Sequence, residues 1–453
     1  MTDKEQPCCP AKQPPISLRD VDIGFKYIEF PEDTFFMESL AQSPEYKPGL
    51  AFVPVQRFVN DEEQTHIYQI SPTESQARHL AGPILTPDGS PDITVFGSAL
   101  SDDGILYLCA FNRNSVLALD MKPLDVDNPG QAKCFKEYEG LPSPNDVCTD
   151  PKDPKSLYVV AGTFRNLGCV TFSNAAYGQI FRVRLDDKGG YQIEMITDGC
   201  KTLAGAEVVG DKLWVAQLFD MFSLVNEYGA SPVTEWVGDD ADEMVWMADN
   251  IDTFDGDCIL CPAYTRAPRS TVDRVLKRPW LSSAVLFFVQ LASACLSCEP
   301  LQEAFRDPEV SLAFSNTYIK DGQNPDPVRL IFIKQDGKAY HFEVDLEETR
   351  AKNAPREIKA RGVGERFLGN VQAGKSREVM DTVRGSSERQ QEIPVLGKRH
   401  HFNEQVTHAA HLTDGEQGYI ACINFEQPRI LLLNDNVFRD HMNGTEVKGE
   451  EEA

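Results

Sequence analysis

The chain has 453 residues, 70 acidic and 44 basic, giving a formal charge of −26 at neutral pH. Charge of this sign excludes nucleic-acid binding through a general basic face, because each phosphate contact needs a cation, and it disfavours anionic membranes. Hydrophobic residues at 41% and charged residues at 25% exclude a disordered chain, and the length is ample for one large β-fold.

Residues 1–20 read as a polar, Pro-rich, flexible leader with no apolar secretory segment, so the expected compartment is the cytoplasm. The twelve cysteines are scattered too sparsely for a disulfide scaffold and are expected to be mostly free. From residue 21 to 445 short β-type runs alternate with turn signals. GILYLC (104–109), SLYVV (156–160), KLWVA (212–216) and GYIAC (418–422) each follow an acidic or Gly turn and lead into another β run. Units of about 40 residues or more that repeat this way favour a propeller over a sandwich. The pattern predicts an all-β, six-bladed β-propeller with blades near 50–82, 93–139, 143–198, 202–238, 246–345 and 404–437. The last blade needs a strand from the N-terminal region to close the ring, and closure removes the exposed sheet edges.

Two stretches break the β pattern. Residues 271–308 read as a helical, apolar insertion in blade five, with no charge from Trp280 to Cys298. That run has three readings: a membrane span, an interfacial helix making peripheral membrane contact through 280–298, or a helix packed on the propeller. Residues 350–400 are charged and turn-rich and read as a long mobile loop. Residues 446–453 read as an acidic tail.

Several constellations carry chemistry on paper. GNVQAGKS (369–376) matches the phosphate-binding GxxxxGK[ST] pattern, but no parallel βαβ series surrounds it, so it is read as a chance match. Cys258/Cys261 and Cys295/Cys298 form two CxxC pairs that would suit zinc. The first pair lies in a strand, where residues three apart point to opposite faces, so buried free thiols are the reading preferred. His400, His401, His408 and His411 cluster near the C-terminus, and His408 is the one placed to serve as a base in a central pocket. Two acid–amide pairs, Asn145-Asp146 and Asp249-Asn250, each begin an inner strand. In a closed ring such positions aim oxygens down one channel, and calcium takes oxygens; the alternative is a pair of ordinary Asx turns.

These motifs carry a resemblance. LPSPNDVCTDPKDPKSLYVVAGT (141–163), MADNIDTFDGDCILCPA (247–263), LKRPWLSSAVLFFVQL (276–291) and the closing segment 403–433 resemble strictosidine synthase-like proteins. These belong to the six-bladed calcium-dependent phosphotriesterase superfamily, with the paraoxonases and the gluconolactonase/luciferin-regenerating proteins. The resemblance implies that Asn145, Asp249 and Asn250 are calcium ligands. It puts Gly205 where the family has a third Asn, Phe96 where paraoxonases have a catalytic His, and offers Glu45 as the nearest blade-one carboxylate. Glu404-Gln405 resembles the family's synthase "FEQ" step, although another alignment puts Thr407 there.

Three functions follow as expectations. The first is a calcium-dependent hydrolase of esters or lactones acting at the central channel on a small-molecule substrate, with Glu404 or His408 as base. The second is a non-catalytic propeller that binds a small molecule or a protein. The third is a metal-free Pictet–Spengler-type synthase using Glu404. The sequence does not specify an oligomeric state.

Overall fold

A computed structural model describes residues 24–161, 178–268, 328–344 and 406–444, apart from short gaps within them, and a strand at Ile16–Ser17. The expected helix 271–308 and loop 350–400 lie outside the described residues. So do the GKS match at 369–376, Cys295, Cys298, His400, His401 and Glu404.

The described chain is mostly β and forms a propeller arrangement. Its strands fall into six sheets. The first holds Thr34–Met37, Ala41–Gln42, Ala51–Val59, Glu62–Ile70 and Arg78–Leu85, with Gly130–Lys133 added in parallel to its outer edge. The second runs from Val95–Leu100 through Ile105–Ala110 and Ser115–Asp120 to Lys136–Glu139. The third spans Pro144–Thr149 to Tyr191–Cys200, and the fourth Leu203–Val209 to Thr234–Trp236. In the fifth, Met244–Ala248 and Asp252–Phe254 both pair with the long strand Cys258–Pro268, followed by Val328–Lys334 and Ala339–Val344. The sixth holds His408–Asp414, Gln417–Ile423 and Arg429–Asn434, and Phe25–Glu29 completes it antiparallel to Arg429–Asn434. The last repeat therefore takes its fourth strand from the N-terminal region.

The SDDG turn has a local cause. Gly104 takes φ +83°, a conformation that favours glycine, and Ser101 Oγ accepts from Ile105 N at 3.0 Å. The central strands of the second and third sheets are apolar on both faces because these sheets are buried on both sides. Leu106, Leu108 and Ala110 pack toward the first sheet, while Tyr107 and Cys109 alternate toward the third. In the third sheet Leu157, Val159 and Ala161 face back toward the second, and Tyr158 and Val160 face the fourth. At roughly 1.5–3 kcal/mol per fully buried aliphatic or aromatic side chain, these inter-sheet layers are the dominant stabilisation. One such layer joins the sixth sheet to the first, through Ile28, Val53, Tyr68, Ala410 and Leu432. The short helix Asn436–Met442 buries Phe438 and Met442 where the fifth and sixth sheets meet. Among the described residues no helix is long and apolar enough to cross a membrane.

Candidate functional site

The first strands of successive sheets touch in order. Contacts run from Ala41–Gln42 to Val95–Leu100, then to Pro144–Thr149, Leu203–Val209, Asp252–Phe254 and His408–Asp414. Gln42 Nε2 then donates to His411 O at 2.7 Å, returning to the first sheet. These strands line the axis. Most of them lose pairing at one level. The register skips Phe96-Gly97 in the second sheet, Asn145 in the third and Ala204 in the fourth. In the fifth, Asp249–Ile251 stand between two separate strand pairings. A bulge re-aims a side chain out of the pleat, and this is how the sequence turns residues at strand starts toward the channel.

Close approach between neighbouring inner strands keeps them at this level. A Cβ on Gly97 would lie 2.3 Å from Asp146 Oδ1, and one on Gly205 would lie 2.7 Å from Asn250 Cα. Asp146 Oδ2 accepts from Ala206 N at 3.0 Å, Asn250 N donates to Thr407 O at 3.3 Å, and Asn250 Nδ2 donates to the Glu38 carbonyl at 3.4 Å. Ser39 and Ser98 share a hydroxyl hydrogen bond at 2.8 Å. The ring of contacts thus passes through the first five sheets and reaches the sixth at Thr407.

The electrostatics of this level are dominated by carboxyls. Burial pushes Glu38 well above the usual carboxyl range, and the charges of Asp249 and then Asp146 push it further. Burial raises Asp146 to about 7, against the opposing pull of the Ala206 N–H and His408. Glu207 is raised by burial, then by Asp252 and Asp146. Such crowding favours protons or a bound cation.

Two side-chain oxygens at this level are buried without a partner among the described residues. Asn145 Nδ2 donates to the carbonyls of Leu203 at 2.9 Å and Ala204 at 3.1 Å, which turns Oδ1 the other way. That Oδ1 and Glu38 Oε2 are buried without a hydrogen-bond partner among the described residues. With buried Asp249 and Asn250 they make an oxygen-only donor set, the chemistry that calcium takes. Among the described residues no three His, Cys, Asp or Glu side chains could hold one metal ion. The oxygen-bearing side chains at this level are two carboxylates and two amides.

His408 and Asp252 lie on the same axis. His408 is 4% exposed, neither of its ring nitrogens has a hydrogen-bond partner among the described residues, and its Nε2 sits 3.9 Å from Asp252 Oδ2. His411, three residues along the strand, faces away: its Nε2 hydrogen-bonds Asp435 at 3.0 Å and its ring packs on Phe254. Strand periodicity separates the two imidazoles.

Other expected positions fall elsewhere. Glu45 is exposed, its N–H bonded to Ser43 Oγ in a turn, whereas Glu38, seven residues earlier, has a buried carboxylate oxygen close enough to feel Asp249 and Asp146. Phe96 is buried with its ring centroid 5.5 Å from Phe36 and 4.5 Å from Phe111. Cys258 and Cys261 are buried free thiols in one strand, and each donates to a backbone carbonyl.

No protein-family model matches the chain, and no curated protein matches it. Among solved structures it is similar to a streptogramin B lyase, at 8% identity and TM-score 0.39, over 91% of this chain and 97% of that one. It is likewise similar to virginiamycin B lyase from Staphylococcus aureus, at 8% identity and TM-score 0.37, over 91% and 99% of the two chains. Likeness this distant transfers no chemistry.

Proposed function

We propose that the six sheets are the blades of a six-bladed propeller whose channel is a calcium-dependent site for hydrolysis of small-molecule esters or lactones. The observation that carries this reading is that two buried oxygens, Glu38 Oε2 and Asn145 Oδ1, have no hydrogen-bond partner among the described residues, while buried Asp249 acts electrostatically on Glu38 and Asn250 hydrogen-bonds the Glu38 carbonyl. Glu38, Asn145, Asp249 and Asn250 would hold the ion, with waters or carbonyls supplying the rest of the six to eight oxygens that calcium takes. Bound calcium supplies Lewis-acid polarisation of a carbonyl and a lowered pKa for an attacking water. The chain's own residues do the remainder. Asn145 is locked with its oxygen toward the channel by the Leu203 and Ala204 carbonyls. His408 takes the proton of the attacking water, and Asp252 stabilises the imidazolium that results. Phe96, enclosed by Phe36 and Phe111, offers no acid or base from the second sheet, so in this reading His408 carries that role.

A second reading, a non-catalytic binding propeller, is favoured by the same Phe96 and by Gly205, which brings no amide to the channel. A chelator-sensitive screen of ester and lactone substrates on the purified protein separates the two. Turnover that is lost with chelator, restored by calcium and abolished by His408→Gln supports the hydrolase. Calcium binding without turnover supports the binding propeller. Metal-free synthase chemistry rests on Glu404, outside the described residues.

A further inference from the structure

The seam where the sixth sheet meets the first carries a histidine pair that the channel does not use. The closing strand Phe25–Glu29 ends at this seam. Glu29 N donates to Ser75 O at 3.0 Å, and Ala77 N donates to Glu29 O at 2.9 Å. Two residues after Ala77 comes His79, on the outer strand Arg78–Leu85 of the first sheet. Its Nε2 lies 3.0 Å from Nδ1 of His66 on the adjacent strand Glu62–Ile70. His66 is buried, and its ring packs against Gly82, where a Cβ would fall 2.1 Å from Nδ1. The fit therefore locks the imidazole in place.

A 3.0 Å gap between two ring nitrogens holds one proton. If both rings are protonated, two N–H groups face each other and the contact breaks. The first proton is also opposed. Arg57, from the strand Ala51–Val59, donates to Tyr68 OH at 2.8 Å and places its cation beside both rings. Asp33, 2.7 Å from Arg57, favours a proton on His66. The Tyr68 ring packs against His79 at a tilt, and Gln64 Oε1 lies 3.3 Å from His66 Nε2. Burial is the largest effect on His66 and lowers it to about 4; burial likewise leads the lowering of His79.

We infer that the His66–His79 pair is an acid-sensitive latch on the ring's seam: proton uptake by the pair releases the outer strand Arg78–Leu85, and with it the contacts of Glu29 to residues 75–77. The outer strand also carries the parallel strand Gly130–Lys133, so its release loosens the join to the second sheet as well. The direction follows from linkage. Both histidines bind protons more weakly folded than unfolded, so the stability they lend is full above the ordinary imidazole range near 6.5 and drains away as pH falls below it.

Hydrogen exchange on the full chain at pH 7.5 and pH 5.0, corrected for intrinsic rates, tests this. Protection of residues 25–29 and 75–85 should fall on the order of tenfold at pH 5.0, relative to the strand Ser156–Ala161. In the double variant His66→Gln/His79→Gln this difference should disappear. Acid opening spread evenly over all sheets, or an unchanged response in the double variant, would overturn the latch. Should that variant not fold, imidazole NMR of the wild type decides. Both rings neutral down to pH 5 supports the latch, and either ring titrating near 6.5 in the folded protein overturns it.

Discussion

Gly205 and Asn250 meet backbone to backbone: a Cβ on Gly205 would lie 2.7 Å from Asn250 Cα and 2.7 Å from Ile251 N. The family resemblance puts a third amide at Gly205, and this contact leaves no room for one. Restoring it by Gly205→Asn should therefore fail as a repair. The variant should lose about 1–3 kcal/mol of stability through overpacking and gain no calcium affinity. Urea unfolding and a calcium titration read the two effects, and tighter calcium binding at unchanged stability would contradict the geometry.

Glu38 is repelled by Asp249 and Asp146 when no cation is present. Glu38→Gln should consequently act with opposite signs in two conditions. It should raise the melting temperature in chelator and remove most of the stabilisation that calcium gives. Glu45→Gln, at an exposed turn, should stay within about 0.5 kcal/mol of wild type in both. Thermal unfolding of the two variants with and without calcium checks this.

The buried carboxyls also set a pH dependence for the metal-free protein. Asp146 titrates near 7 folded against an ordinary value near 3.9, so the folded state holds its proton more tightly. Stability from this group is present at low pH and is lost as pH rises from about 4 to about 7. The loss is roughly 4 kcal/mol at most. Glu38 and Glu207 act in the same direction. Chelator-treated protein should thus be more stable at pH 5 than at pH 8, and Asp146→Asn should flatten that slope. The histidine latch runs the other way, so double-variant protein should show the steeper carboxyl slope.

His408 and Asp252 should separate in kinetics if the hydrolase reading holds. His408→Gln removes the base and should lower kcat by about 10²–10⁴. Asp252→Asn leaves the imidazole in place and should lower kcat less, because it removes only the charge that steadies the imidazolium formed during proton transfer. Steady-state kinetics of both variants are the check.

Much of the architecture is legible in the residues because turns and apolar runs recur at nearly even spacing. The SDDG and TDGEQ turns mark hairpins, and burial on both faces makes the runs between them continuously apolar. Asn145, Asp249 and Asn250 are visible as acid–amide pairs at strand starts; a bulge holds Asn145 and a break between two strand pairings holds Asp249 and Asn250. Glu38 was not visible by proximity to the family pattern, which pointed to Glu45. Its signal is a carboxylate inside the apolar stretch FFMESLA, and Glu207 in LAGAEVV is the same signal. A charge amid residues that must be buried calls for a partner. His408 and His411 look alike in sequence, and only the two-residue period of the strand sends one to the channel and the other to Asp435. The close approach at Gly205 depends on two sheets distant in sequence, so no local pattern announces it.

The central claim is that the channel binds calcium through oxygens from different sheets, with Asp249 essential. Thermal unfolding of wild type and Asp249→Ala across a calcium titration from chelator to millimolar tests it most directly. Calcium at about a hundred times its dissociation constant should stabilise the wild type by about 2.7 kcal/mol. Asp249→Ala should lose most of that gain, and Asn145→Ala should lose less because it removes no charge. A wild type indifferent to millimolar calcium, or a gain untouched by Asp249→Ala, would contradict the account and leave Asn145 and Asn250 as turn residues of a propeller that binds no calcium there.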